Sequence, residues 1–382
     1  MTTTDSTTHG TDTTQTSPDA TEPTGTEPTV TEQPDPAGVE AFAGELFATL
    51  SRGATALMIS IGHRTGLFDT VAGLPPSTSH EIAAAAGLHE RYVREWLGAM
   101  TVAGIVVHDH GTYRLPANHA AVLTRAAGVN NLASQLQFVP MLAQVEDPIV
   151  RCFTDGGGVG YEAFGRFHEL MAEQSAQNHD AALLSHVVPM VDGLAERLRA
   201  GIRVADIGCG QGHAMNLLAS AFPDSDFHGY DFRPETIAVA REEADALGLG
   251  NVHFEVRDVA DLGGTGSFGA VTAFDAVHDQ AHPAHVLGQV AEHLDPDGVF
   301  LVVDIDASSE LDDNTAIPWA PYLYTVSTMH CMTVSLAEGG DGLGTAWGRQ
   351  TALRMLADAG FTNVRVESVP GDFINAYYVA RR

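Results

Sequence analysis

From residue 203 onward the hydrophobic pattern switches between two periods. Short apolar runs over residues 204–207, 226–230, 252–256, 270–274 and 299–303 predict strands. Amphipathic stretches over 213–221, 234–247 and 283–294 lie between them and predict helices. This alternation predicts a Rossmann-like α/β layer, a doubly wound and mostly parallel sheet covered on both faces. Two late runs, 364–369 and 376–379, are close enough to form an antiparallel pair at its C-terminal end.

The preceding region reads as helical. Phe42, Leu46 and Leu50, then Ala56, Leu57, Ile59 and Ile61, predict two helices broken near Gly53. Thr78 or Ser79 is the expected N-cap and Gly87 the C-cap of a short helix. Tyr92, Val93, Trp96, Leu97 and Met100 recur at helical spacing, and Asp109-His110-Gly111 punctuates two short strands as a hairpin. Helices followed by a two-stranded wing make a winged helix. The expected organisation is a Thr/Pro-rich acidic tail over 1–37, a winged-helix domain over 38–125, a helical connector over 126–200, and the α/β domain over 201–382. In the connector, Gly156 to Gly160 break the run, and one helix through Phe164, Phe167, Leu170 and Met171 precedes another through Leu183, Val187 and Met190.

Composition restricts the partners. The net charge is −30, and all 19 basic residues are arginine. A nucleic acid or an anionic membrane surface requires a basic face, so neither is expected. The third helix carries Glu90 and Glu95 beside Arg91 and Arg94. A winged helix reused for dimer packing and pocket closure fits this better than one docked in a major groove. Such acidity suits a high-salt cytoplasm, where screening relieves self-repulsion. The three cysteines are widely spaced, and neither a disulfide framework nor a zinc motif is expected. No secretory signal and no membrane span are read, so the protein is expected in the cytoplasm.

Asp206-Ile-Gly-Cys-Gly-Gln-Gly212 joins the first strand of the α/β region to the following helix. Glycines at 208, 210 and 212 let a ligand approach the backbone, and the helix opens with free N–H groups. Acids also end the next three strands: Asp231, Asp258 after Arg257, and Asp275 with Asp279. Ligands of such sheets bind at these strand ends.

With these residues the chain resembles the class I S-adenosylmethionine-dependent methyltransferases. The glycine turn matches their first motif, Gly229-Tyr230-Asp231-Phe232 the second, and Arg257-Asp258-Val259 the third. The resemblance implies S-adenosyl-L-methionine as cofactor. Gly208, Gly210 and Gly212 would approach its methionine part, Asp231 its ribose, Asp258 and Val259 its adenine, and Asp206 its amino group or the loop. Phe232 and Phe274 join this cofactor set. A winged helix before such a domain is similar to small-molecule O-methyltransferases, and the Tyr324 to Met332 segment resembles one found in uncharacterised microbial methyltransferases. In the O-methyltransferases a His-Asp-Trp motif supplies the base. Here it reads His278-Asp279-Gln280, without the Trp.

His278 is independently suited to take a proton from a hydroxyl or thiol, and Asp279 or Asp304 would set its tautomer. The alternative is a histidine that merely holds its loop. His278, His282 and His285 invite a metal, but Pro283 opens a helix at its first turn, so His278 and His282 do not share a face, no third ligand is in view and no metal is expected. Residues 306–347 read as a lid. Asp279, His282, Tyr324, His330 and Trp347 are the candidate substrate-pocket residues. The function expected is methyl transfer to a small molecule, at oxygen, by a homodimer. The alternatives are a winged-helix regulator with a cofactor-sensing domain and a non-catalytic S-adenosylmethionine-binding protein.

Overall fold

A computed structural model describes residues 33–382. The tail expected over 1–37 lies almost wholly outside them, and its last residues already belong to a helix. Helix α1 (Pro36–Arg64) runs unbroken through Gly53. Glycine there costs about 1 kcal/mol relative to alanine, which the surrounding helix absorbs, so the expected break is absent. Val39, Phe42, Leu46, Phe47 and Leu50 are exposed on it.

Helices α2 (Leu67–Gly73), α3 (Ser79–Ala86) and α4 (Glu90–Val102) lead into a hairpin of β1 (Val107–Asp109) and β2 (Thr112–Arg114). Thr78 is the N-cap of α3. It accepts from the Glu81 N–H, and Glu81 in turn accepts from the Thr78 N–H at 2.7 Å, a reciprocal capping box. The buried face of α4 carries Val93, Trp96, Leu97 and Met100, whereas Tyr92 is exposed. Trp96 packs edge-on against Phe68 at 5.1 Å and donates to the Met58 carbonyl at 2.8 Å. On the outer face, Arg91 pairs with Glu95 and Arg94 with Glu90, leaving this helix without free positive charge.

The connector differs from the two helices expected. A helix over Phe167–Ala182 continues through a π-turn (Leu183–Val187) into Val188–Met190. Phe164 precedes it and packs in the same apolar cluster.

The central sheet contains β3 (Arg203–Ile207), β4 (Asp226–Asp231), β5 (Val252–Val256), β6 (Phe268–Phe274), β7 (Leu294–Ile305), β8 (Asn363–Glu367) and β9 (Asn375–Arg381). Their order is β5-β4-β3-β6-β7-β9-β8. The first five pair in parallel, while β9 is antiparallel to both of its neighbours, β7 and β8. The expected antiparallel pair therefore forms one end of the sheet, with β9 inserted between β7 and the edge strand β8. Strand direction and burial on both faces give two apolar layers, one around Phe227 and Met215 and one around Phe268 and Phe300. Chain order reverses between β3 and β6, which opens a crevice at their carboxyl ends.

Candidate functional site

A cavity of about 510 Å³ occupies that crevice. Its floor is the turn after β3. Gly208, Gly210 and Gly212 all have positive φ, at 70°, 55° and 74°. Two of them are also short of space. A Cβ on Gly208 would stand 2.6 Å from Ala276, and one on Gly212 2.5 Å from Phe254. The helix His213–Ala221 begins there with no side-chain cap, so its first-turn N–H groups remain available beside the cavity.

The acids at the strand ends have distinct environments. Asp231 accepts from Gly210 N at 3.0 Å through Oδ2, and from Arg233 N at 2.9 Å and Thr236 Oγ1 at 3.0 Å through Oδ1. A carboxylate offers about four acceptor positions, so this one holds the glycine turn and the start of the Pro234–Leu247 helix with one position left. Asp206 is buried and accepts from Thr272 Oγ1 at 2.6 Å. Burial pushes its carboxyl up to about 7, against the Thr272 hydrogen bond and with help from the Asp231 charge. Asp258 is more exposed and accepts from Ala260 N at 2.9 Å, while Val259 is buried behind it. Phe274 stands half-buried, edge-on to His179 at 4.7 Å.

Asp275 has φ +50°, in the left-handed region that a residue with a Cβ rarely adopts. Its Oδ1 is buried without a partner on the cavity wall. Burial raises its carboxyl to about 7, and the nearby Asp304 adds to the rise. Beyond this strained residue, Asp279 lines the cavity while His278 is buried and does not.

His278 donates from Nδ1 to Asp304 Oδ1 at 2.7 Å. Asp304 also accepts from the Trp347 indole at 3.0 Å and from Ile305 N at 2.8 Å. Nε2 of His278 stands 3.3 Å from Asp279 Oδ1, which has no hydrogen-bond partner. Burial opposes a charge on this imidazole, but Asp304 and Asp279 outweigh it and hold its pKa well above the ordinary range. Asp279 Oδ2 accepts from the Tyr161 hydroxyl at 3.1 Å.

The structure thus gathers all nine residues of the expected cofactor set, with Asp279, around one cavity. The remaining pocket candidates stand outside its wall. His282 is an exposed helix-start residue 3.4 Å from Asp341. Tyr324 points its hydroxyl to the Asn314 amide at 2.9 Å. Trp347 is buried under Asp304, where it supports His278 from behind. His330 is fully buried, stacked on Phe167 at 3.6 Å, and burial drops its pKa to about 4. The 306–347 segment packs against the loop after β6: Ser335 Oγ donates to Gln280 O at 3.0 Å, and Asp341 N to Ala281 O at 2.8 Å.

Residues missed from sequence come mainly from the connector. Tyr161, Met171, Ser175 and His179 cover the cavity beside His168. Tyr161 follows Gly158, whose lack of a side chain allows close approach to the Thr333 carbonyl, so the glycine run was its one sequence signal. His213 bridges the cover to the floor, bonding Asp180 at 3.0 Å and Glu243 at 2.7 Å.

Residues 53–125 match the family model of the Rv2258c-like winged HTH domain, and residues 198–360 match that of a methyltransferase domain. A trans-aconitate 2-methyltransferase from Methylobacterium nodulans is 34% identical over 115 residues, covering 30% of this chain and 43% of that protein. The structure of mitomycin 7-O-methyltransferase superposes with a TM-score of 0.65 at 17% identity, covering 91% of this chain and 100% of the other. An O-methyltransferase from neocarzinostatin biosynthesis, solved with S-adenosyl-L-homocysteine and 1,4-dihydroxy-2-naphthoic acid, gives 0.60 at 18%, covering 86% and 96%. The curated relatives are matched over 11% to 62% of their own length.

Proposed function

We propose that the protein transfers the methyl group of S-adenosyl-L-methionine to a hydroxyl of a small molecule. The observation that carries this is the convergence of the glycine turn, Asp231, Asp258 with Val259, and Asp279 on one cavity. The naming of the structural neighbours, one with the demethylated cofactor and a dihydroxynaphthoic acid, supports the same reading.

Asp231 has one acceptor position free and takes one ribose hydroxyl, not both. Asp258 takes the adenine amine, and Val259 with Phe232 and Phe274 bounds the nucleoside. Gly208, Gly210 and Gly212 admit the methionine part beside Asp206. The methyl carbon carries its own activation as a sulfonium, so the protein's task is alignment, worth up to about 7–11 kcal/mol, and removal of the acceptor's proton. The hydroxyl at the cavity wall gives its proton to Asp279, which passes it to His278 Nε2, 3.3 Å from Asp279 Oδ1. Since both carboxylates keep His278 protonated above its ordinary pKa, the rate climbs as pH rises through that raised value. Incubation with methyl-labelled cofactor and a metabolite extract, followed by mass spectrometry, tests the reading. A labelled methyl ether supports it, and no labelled product from any acceptor opposes it.

Cofactor affinity carries its own pH signature. Asp206 and Asp275 line the cavity with carboxyls raised to about 7. A cationic ligand favours their ionised forms, so binding tightens as pH rises. Each carboxyl that must ionise contributes up to about tenfold between about pH 6 and 8. Calorimetry across that range should show the gain, and D206N should reduce it.

The same reading takes the protein as a homodimer in a saline cytoplasm, without nucleic acid as partner. Exposed Phe42, Leu46, Phe47 and Leu50 give a second copy an apolar surface, and the charge of −30 fits high ionic strength. Among the described residues no helix is long and apolar enough to cross a membrane. Light scattering in molar salt tests the dimer, and thermal unfolding with and without salt tests the saline setting.

A further inference from the structure

Beside the cavity, three side chains of different chemistry meet. One ligand atom each from His278, Asp279 and Cys331 lies within 4.8 Å of the other two. Among the described residues this is the one such group of histidine, cysteine and carboxylate side chains. Two come from the loop after β6 and the third from the π-turn Ser327–Cys331. His278 is 4% exposed and Cys331 5%, while Asp279 is half-buried at the cavity wall.

The surroundings prepare these atoms for a cation. Asp304 Oδ1 fixes His278 Nδ1 at 2.7 Å, which leaves Nε2 turned toward Asp279. That is the carboxylate–histidine arrangement that orients metal-bound imidazoles. The Trp347 indole and Ile305 N fix Asp304 in turn. Tyr161 occupies Asp279 Oδ2, and the other oxygen, Oδ1, is buried with no hydrogen-bond partner. Asp279 also lines the cavity, which gives a cation a path to the cluster.

We propose that His278 Nε2, Asp279 Oδ1 and Cys331 Sγ bind one thiophilic divalent cation of the zinc class. Nitrogen, oxygen and sulfur donors in a three-ligand set suit zinc. Thiolate and carboxylate together neutralise the dication. The Cys331 proton leaves to solvent, and the cation takes the place of the proton at Nε2. Occupancy therefore removes the proton acceptor and switches methyl transfer off, while the glycine turn and Asp231 still hold the cofactor. The inhibition, though not the binding, rests on the role given to His278 above.

Cobalt(II) titrated into the chelator-treated full chain reads the site without any acceptor. The expected result is one ion per chain with a thiolate-to-cobalt absorption band, displaced by zinc. The band should persist in C152S and vanish in C331S with an unchanged circular dichroism spectrum. D304N should weaken cobalt binding about 10–100-fold. No thiolate band in the unmodified chain, or a band that survives C331S and disappears in C152S or C209S, overturns the site. Full methyl transfer by the zinc-loaded protein overturns the inhibitory role.

Discussion

Replacement of His278 by alanine is expected to slow methyl transfer by about 10²–10⁴-fold, the usual worth of a positioned acid or base. Cofactor binding should survive, because His278 lies behind the cavity wall and touches none of the strand-end acids that hold the nucleoside. The pH profile separates this from simple damage to the loop. Asp304 and Asp279 raise the pKa of His278 against its burial, so the intact protein should gain rate as pH rises above the ordinary histidine range. H278A should lose that limb. D304N removes one of the two supporting charges and should shift the limb to lower pH, with a smaller loss of rate. A loss below about fivefold in H278A with the fold intact would remove the histidine from proton transfer.

Replacement of Asp231 by alanine should act on binding instead. Three hydrogen bonds end on its carboxylate, from Gly210 N, Arg233 N and Thr236 Oγ1. Removing it leaves the glycine turn without its anchor and the ribose without its acceptor. A hydrogen bond to a charged group is worth about 1.5–3 kcal/mol, so cofactor affinity should fall about 10–100-fold. Unfolding free energy should also fall, because three buried or half-buried donors lose their partner. D258A is the comparison. Asp258 is more exposed and accepts from Ala260 N within its own turn, so it should cost less affinity and little stability. Equal cofactor affinity in D231A and the unmodified chain would contradict the placement of the nucleoside.

The strands, the glycine turn and the acids after it were legible because each is a local pattern. A period of two, a change of period and a backbone with no room for Cβ leave marks within a few residues. The N-cap of α3, expected at Thr78 or Ser79, was visible for the same reason. What lay hidden depends on contacts between distant segments. Tyr161 meets Asp279 across 118 positions, and Trp347 meets Asp304 across 43. Neither pairing has a spacing that sequence could betray. The order of His278 and Asp279 relative to the cavity was also hidden. The loop that carries them begins with the positive φ of Asp275, and nothing in Phe274-Asp275-Ala276 requires that conformation. The aromatic and histidine candidates of 306–347 do not line this cavity, and burial and pocket lining look alike in composition. His330 and Trp347 are core residues of the wall's support, and Tyr324 is tied to Asn314.

Calorimetric titration of S-adenosyl-L-homocysteine into the full chain, at an ionic strength that keeps it folded, tests the central claim most directly. One binding site per chain, weakened about 10–100-fold by D231A, is the predicted result. No heat of binding for this ligand or for S-adenosyl-L-methionine would contradict it.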